Sequence, residues 1–330
     1  MIGGEPMTAQ MFGVLRLLAD GGFHARAALA RELGVAPGAI EPALHELENL
    51  GLEVRRVRGR GCGLAEPYEL LDAAALGAQL GAQAGCFRTE LLDSCDSTNT
   101  LLLERARQGA PSGSVIACEL QCAGRGRRGN AWQSGLGGNI TFSLLWRFPR
   151  SAAGLAGLTL AAGVAVVRTL ASLGIEGVQL KWPNDLLHAG RKLGGILIEA
   201  QGEAAGTSAA VIGIGVNVRL PAALRDGIAQ AVTDLASISP RLPSRNRLLA
   251  ALLIELEHVL TRFSAYGFAP LRDEWMARNA HQGKLVTLSS GDGSSVSGRV
   301  MGVAEDGALL LQTERGLERH VNGELSLRAS

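Results

Sequence analysis

The sequence predicts an α+β chain in three units, residues 1–72, 73–268 and 269–330. Three patterns predict it. Apolar residues recur at helical spacing through the first fifty residues, then give way to two short extended runs. Between Thr89 and about Gly267 strands alternate with helices, as in a mixed, mostly antiparallel sheet covered by helices. After Lys284 short strands follow one another with only Gly, Asp and Ser turns between them.

In the first unit Met11, Phe12, Val14, Leu15 and Leu18 mark one helix, ended by Gly21-Gly22. Ala27, Leu29, Ala30 and Leu33 mark a second, with Gly34 where a C-cap glycine stands. Ile40, Leu44, Leu47 and Leu50 share one face of a third. Pro42 bends that helix if it begins at Pro37; otherwise the helix starts late and is short. Residues 52–57 and 63–71 read as strands around the turn Arg58-Gly59-Arg60-Gly61. Helix, short turn, helix and hairpin form the winged helix-turn-helix pattern.

The stretch 71–85, rich in Ala, Leu and Gly, is the first boundary. In the second unit Ser114–Leu120, Asn139–Phe148, Val178–Trp182, Lys192–Ala200 and Ala209–Val218 read as strands, and Leu155–Ser172 and Asn246–Phe263 as helices. In the third, Lys284–Leu288, Val296–Val303, Ala308–Gln312 and Leu317–Val321 read as strands.

With 32 basic and 31 acidic residues the formal charge is +1, so no global field draws in nucleic acid or a membrane, and anion binding must be local. The five cysteines are scattered, and Cys118 and Cys122 have neither C-x-x-C spacing nor a neighbouring histidine, so they read as reduced thiols. The N-terminus lacks the order of a signal peptide, and the apolar run Leu155–Val167 stops at Arg168, short of the roughly 20 residues of a membrane helix. A soluble cytoplasmic chain is expected, with no membrane partner.

Four segments of the central unit carry polar groups that an apolar core does not ask for. Asp96-Ser97-Thr98-Asn99 precedes an apolar run, where an N-cap alone is the plainer reading. Gly124-Arg125-Gly126-Arg127-Arg128-Gly129-Asn130-Ala131-Trp132 alternates guanidinium forks with glycines, the composition of an anion-holding loop with an indole to stack or to pack a lid, or equally of a solvated basic loop. Lys181-Trp182-Pro183-Asn184-Asp185 is followed by Arg191-Lys192-Leu193-Gly194-Gly195-Ile196, which sets a lysine at the mouth of an apolar strand with an aspartate to balance it. Ile212-Gly213-Ile214-Gly215-Val216-Asn217 is a strand whose glycines admit close approach.

In this order the four segments resemble the signatures of the biotin protein ligases. The resemblance covers nearly the whole chain: the winged unit is similar to that of the bifunctional ligase/repressor subgroup, and Gly323-Glu324-Leu325-Ser326-Leu327-Arg328 to the end of an SH3-like C-terminal domain. It implies a biotin/lipoate ligase-type central domain that forms biotinyl-5′-AMP from biotin and ATP, then passes biotin to a lysine of the biotin carboxyl carrier protein. It implies catalytic roles for Lys192, Arg127 and Asp185. Biotin contacts would come from Ser97, Thr98, Asn99, Gln121, Arg125, Gly126, Arg127 and Lys192. Arg125, Arg127, Trp132, Asn217 and Arg328 would hold the adenylate, and Asn217 and Asp185 Mg²⁺. A homodimer on adenylate binding is implied as well, through a sheet edge that also docks the carrier.

The third helix departs from that pattern. From Ala36 to Leu52 it has no lysine or arginine, while Glu41, Glu46 and Glu48 are acidic, and carboxylates repel phosphates. Arg55, Arg56, Arg58 and Arg60 of the wing are the remaining phosphate contacts, which position rather than specify. Weak operator binding, or mere support of the ligase, is expected. Cys122 stands where members of the family often have a second glutamine. Of the competing readings, a regulator that only senses a small molecule has no use for the adenylation groups, and a lipoate ligase lacks the arginine loop.

Overall fold

The computed structural model describes residues 9–202, 206–290 and 293–327. Helices α1 (Ala9–Leu18), α2 (Arg26–Leu33) and α3 (Ile40–Asn49) pack with the hairpin β1 (Val54–Val57) and β2 (Gly61–Leu64) around Met11, Phe12, Leu15, Leu44 and Leu47. Gly34 ends α2 in the left-handed region at φ 65°. A 3-10 turn, Pro37–Ala39, precedes α3. Pro42 therefore lies in the first turn of α3, where an N–H has no helical acceptor to lose, and neither a break nor a kink results.

The hairpin is shorter than expected, because β2 stops at Leu64 and residues 65–71 are not strand. Pro67 removes a ladder donor there, and the central unit supplies acceptors instead. Leu71 N donates to Glu119 Oε1 (2.5 Å) and Asp72 N to Asn246 Oδ1 (2.9 Å). Leu120 and Leu136 of the central unit belong to the N-terminal core, and Arg16 of α1 pairs with Asp93.

The central unit runs α4 (Ala73–Leu80), β3 (Arg88–Cys95), α5 (Thr98–Arg107), β4 (Ser114–Gln121), β5 (Asn139–Phe148), α6 (Leu158–Ser172), β6 (Val178–Lys181), β7 (Asp185–His188), β8 (Arg191–Gly202), β9 (Ser208–Asn217), α7 (Ala222–Asp226), α8 (Leu235–Ile238) and α9 (Arg245–Tyr266). Its seven strands lie in the order β3-β4-β5-β9-β8-β7-β6. Only β3 and β4 are parallel. Even-numbered residues of β5 and β9, among them Ile140, Phe142, Ile212 and Ile214, join the core with α6 and α9. Odd-numbered ones face the other side, where α5 covers Leu145 and Val211 and leaves Thr141, Gly213 and Gly215 to a cleft. The stretch Ala152–Ser172 is long and apolar enough to cross a membrane, but here α6 is the buried core helix between the sheet and α9.

After α10 (Arg272–Ala277), strands β10 (Leu285–Ser289), β11 (Ser295–Val303), β12 (Leu309–Thr313), β13 (Gly316–His320) and β14 (Glu324–Leu327) form an antiparallel sheet in the order β13-β12-β11-β10-β14. Val286, Leu288, Val300 and Leu309 continue the central core without a break. Trp182 Nε1 donates to Gly307 O at 3.0 Å across that junction.

Candidate active site

One row of residues crosses the sheet on its cleft face. Cys118, Thr141, Gly215, Gly195, Asp185 and Lys181 are successive cross-strand partners from β4 to β6. Lys192 joins this row through an irregularity. Leu186 pairs with Gly194 but Leu187 with Lys192, so Leu193 is the extra residue of a bulge. Residues three apart on a regular strand point to opposite faces; the bulge brings Lys192 to the face of Gly195. Its Nζ then lies 2.8 Å from Asp185 Oδ1, while Lys181 Nζ is 3.5 Å from Oδ2. One carboxylate thus holds two ammonium groups at the floor of a cleft of about 500 Å³.

The start of α5 forms the polar wall. Ser97 is the N-cap, its hydroxyl accepting from Thr100 N at 3.5 Å, so the plain capping reading holds for this residue. Thr98 and Asn99 follow with buried side chains. Gln121 Oε1 accepts from Thr98 N (2.8 Å) and Thr98 Oγ1 (3.2 Å). Thr98 Oγ1 lies 2.8 Å from Ser143 Oγ, which donates to Asn99 Oδ1 at 2.6 Å. Asn99 Nδ2 donates to Glu199 Oε2 (3.0 Å). Asn99 fits only because Gly213 has no side chain: a Cβ there would collide with its amide.

The arginine loop closes on itself as a small hairpin, with Gly126 N donating to Asn130 O (2.7 Å) and Trp132 N to Gly124 O (2.8 Å). The indole of Trp132 lies on the bare backbone of Gly215, where a Cβ would meet it at 2.5 Å. The three arginines diverge. Arg125 pairs with Glu199 at 2.6 Å on the rim. Arg128, at a left-handed φ of 54°, reaches the carbonyl of Ser289 in the C-terminal sheet (3.3 Å). Arg127 lines the cleft, half-buried, its guanidinium without a hydrogen bond or ion pair among the described residues. Burial, with Arg128 beside it, pushes the Arg127 guanidinium below its ordinary pKa. A partly desolvated guanidinium with unused donors suits an anion.

Of the expected residues, Ser97, Thr98, Asn99, Gln121, Arg125, Gly126, Arg127, Trp132, Asp185 and Lys192 all line this cleft. Asn217 does not. It is buried behind Lys192, with Oδ1 accepting from Asn139 Nδ2 (2.8 Å) and Nδ2 donating to Thr233 O (2.9 Å) and Lys192 O (3.4 Å). Both Nδ2 protons are thus spent inside the fold, and the 4% exposed side chain does not reach the cleft. With Asp185 already holding two lysines, and no cluster of three His, Cys, Asp or Glu among the described residues, a protein-built Mg²⁺ site does not fit this donor set. Arg328 lies outside the described residues.

Arg55, Arg56, Arg58 and Arg60, expected to meet phosphates, lie on β1 and the turn that follows it. Arg56 reaches Glu48 (2.5 Å) and Glu41 (3.0 Å), which Arg26 joins, and these cations hold both carboxylates below their usual range. Arg55 is 3.4 Å from Glu53, and Arg60 lies over the Phe23 ring at 4.7 Å. The acidic helix thus takes up Arg56, and Arg58 alone of the four has no such contact among the described residues.

Sequence reasoning misses two parts of the cleft lining, the segment 227–230 and Glu324 from β14, and two residues that bond its wall from outside it, Ser143 and Glu199. Ser143 had a signal, since Asn139, Thr141 and Ser143 put polar groups at every second position of an apolar strand. The segment 227–230 had none, because it reaches the site only by tertiary packing, leading to Ala231, whose carbonyl accepts from Lys192 N (2.9 Å).

Comparison with known proteins finds the model of the biotin/lipoate A/B protein ligase family over residues 91–217, and that of the biotin protein ligase C-terminal domain over 281–327. The chain is 36% identical over 317 residues to the bifunctional ligase/repressor BirA of Salmonella typhimurium, covering 96% of this chain and 97% of that protein. It is 33% identical to the biotin–[acetyl-CoA-carboxylase] ligase of Paracoccus denitrificans, covering 68% of this chain and 95% of that one. Among solved structures, the biotin protein ligase from Aquifex aeolicus in complex with biotin and ATP superposes with a TM-score of 0.62 at 28% identity, covering 74% of this chain and 99% of that one.

Proposed function

Because the chain belongs to the biotin protein ligase family, we propose that it makes biotinyl-5′-AMP from biotin and ATP and transfers the biotinyl group to a lysine of a biotin carboxyl carrier protein. The observation that carries this reading is the cation set of Lys192, Lys181 and Arg127 beside the hydroxyl and amide wall of Thr98, Asn99 and Gln121. That wall offers the donors and acceptors a ureido ring needs.

In the first step a carboxylate oxygen of biotin attacks the α-phosphorus of ATP. The new C–O–P anhydride bond forms as the bond to pyrophosphate breaks. The obstacle is bringing two anions together, which fixed cations relieve. Lys192 takes the central role, its ammonium passing from Asp185 to the reacting oxygens, while Lys181 remains to balance Asp185. Arg127 meets the phosphate. Trp132, flat on Gly215, offers its face to adenine. Arg125 latches the loop to Glu199 and binds anion only on leaving it, while Asn217 keeps the peptide of Lys192 in place. In the second step the carrier's amine attacks the acyl carbon and AMP departs.

We read the N-terminal unit as a winged helix-turn-helix, the C-terminal sheet as an SH3-like barrel, and 1–72, 73–268 and 269–330 as the domains. Relatives named ligase/repressor raise a second reading, DNA repression. The ion pairs of Glu41 with Arg26 and Arg56, and of Glu48 with Arg56, count against it, because they take up two of the basic groups near α3. For a homodimer or the docked carrier, β3 is the fitting edge, since β6 at the other end is engaged by Arg278 and Ala280. A cytoplasmic setting suits five free cysteines. Incubation with biotin, ATP and an apo carrier domain tests the reading by mass spectrometry. The carrier gains one biotinyl group on one lysine; an unmodified carrier refutes it.

A further inference from the structure

Arg245, the first residue of α9, is 6% exposed and lines no part of the cleft. Its Nη1 donates to Glu119 Oε2 (2.6 Å) and Glu69 O (2.7 Å), and its Nη2 to Asn139 O (3.1 Å). Tyr68 OH donates to Glu119 Oε2 (3.1 Å), and Arg245 N to Glu69 Oε2 (2.6 Å). Such a buried ion pair adds little to stability over an apolar pair, yet fixes geometry where its hydrogen bonds are directional. These run on toward the cleft. Asn139, whose carbonyl Arg245 holds, donates through Nδ2 to Asn217 Oδ1 (2.8 Å). Asn217 Nδ2 then reaches Lys192 O (3.4 Å). Thr233 N donates to the same carbonyl at 2.9 Å.

We propose that Arg245 is a positioning residue for adenylation. It fixes the start of β5 and, through the amide pair Asn139–Asn217, the peptide from which Lys192 projects. The inference rests on the ligase reading and adds to it a residue outside the cleft, belonging to the seam between linker 68–72 and the sheet. A small misplacement of a reacting group costs up to about a hundredfold in rate, so loss of this support acts on kcat. It leaves ATP affinity nearly untouched, because Trp132 and Arg127 project from the loop 124–132, which closes through its own backbone bonds Gly126 N–Asn130 O and Trp132 N–Gly124 O.

The test uses the full chain in biotin-dependent ATP–pyrophosphate exchange. The paired variant Arg245→Met with Glu119→Gln removes both buried charges, so neither is stranded. Asn217→Leu breaks the relay further on without touching a charge. Each is expected to keep its circular dichroism spectrum and to lose about tenfold in kcat, with KM for ATP within about threefold. Combining them adds little further, as for steps in one chain. A folded variant of either kind with wild-type kcat, or an equal rise in KM with kcat unchanged, overturns the inference. If the paired variant does not fold, Asn217→Leu decides alone; if neither folds, the residues are structural and the inference fails. Wild-type protein without biotin-dependent exchange instead refutes the ligase reading itself.

Discussion

Lys192 and Asp185 meet at 2.8 Å because Leu193 is bulged out of the ladder between β7 and β8. The bulge turns a lysine that would otherwise face the far side of the sheet toward the aspartate of the neighbouring strand. Asp185 keeps a second cation in Lys181, so removing Lys192 strands no charge.

Lys192→Ala is therefore expected to fold with a wild-type circular dichroism spectrum and to lose pyrophosphate release by at least about a hundredfold, the scale of one transition-state electrostatic contact. Release at the wild-type rate would remove Lys192 from the chemistry.

The Arg127 guanidinium has no hydrogen bond or ion pair among the described residues and is drawn below its ordinary pKa by burial, so its donors are free for an anion. Arg127→Gly is expected to let biotinyl-AMP escape, seen as intermediate in the filtrate of a single-turnover reaction. A filtrate no richer than that of the wild type would deny the clamp.

The polar segments of the cleft were legible because each breaks an apolar strand or opens a helix. Their joint order carried the family, where no single one did. What was not legible depends on register. The bulge at Leu193, the edge strand β3 with its half-exposed mix of charge and apolar residues, and the four-residue β7 have no periodic signal of their own. In the sequence Asn217 reads as a ligand group, a polar amide ending a glycine-spaced strand. Only its backbone partners show that it faces the peptide of Lys192. Likewise, the acid on α3 is visible in the sequence, but that it captures Arg56 of β1 is not.

Gly215→Val puts a side chain where the Trp132 ring lies, at 2.5 Å from the Cβ. The indole must leave its seat. KM for ATP is expected to rise about tenfold or more, with a smaller change for biotin. Unchanged KM for ATP would separate Trp132 from the nucleotide.

His281 is buried beside Lys181 and Lys284, its Nδ1 without a partner among the described residues, and burial, then those two charges, holds its pKa down to about 4. The unfolded chain binds this proton near 6.5. The neutral imidazole thus contributes stability in full above about pH 6.5, and the contribution is lost as pH falls toward 4. The whole effect is on the order of 3 kcal/mol. His281→Gln is expected to flatten the fall of the melting temperature between those two pH values. An equally steep fall in the variant would assign it to other groups.

The most direct measurement of the central claim is isotope exchange between pyrophosphate and ATP, run with biotin, with lipoate and with neither. The cation set beside the Thr98–Asn99–Gln121 wall predicts exchange with biotin alone, abolished in Lys192→Ala. Exchange with lipoate, or biotin-independent exchange, would contradict the account.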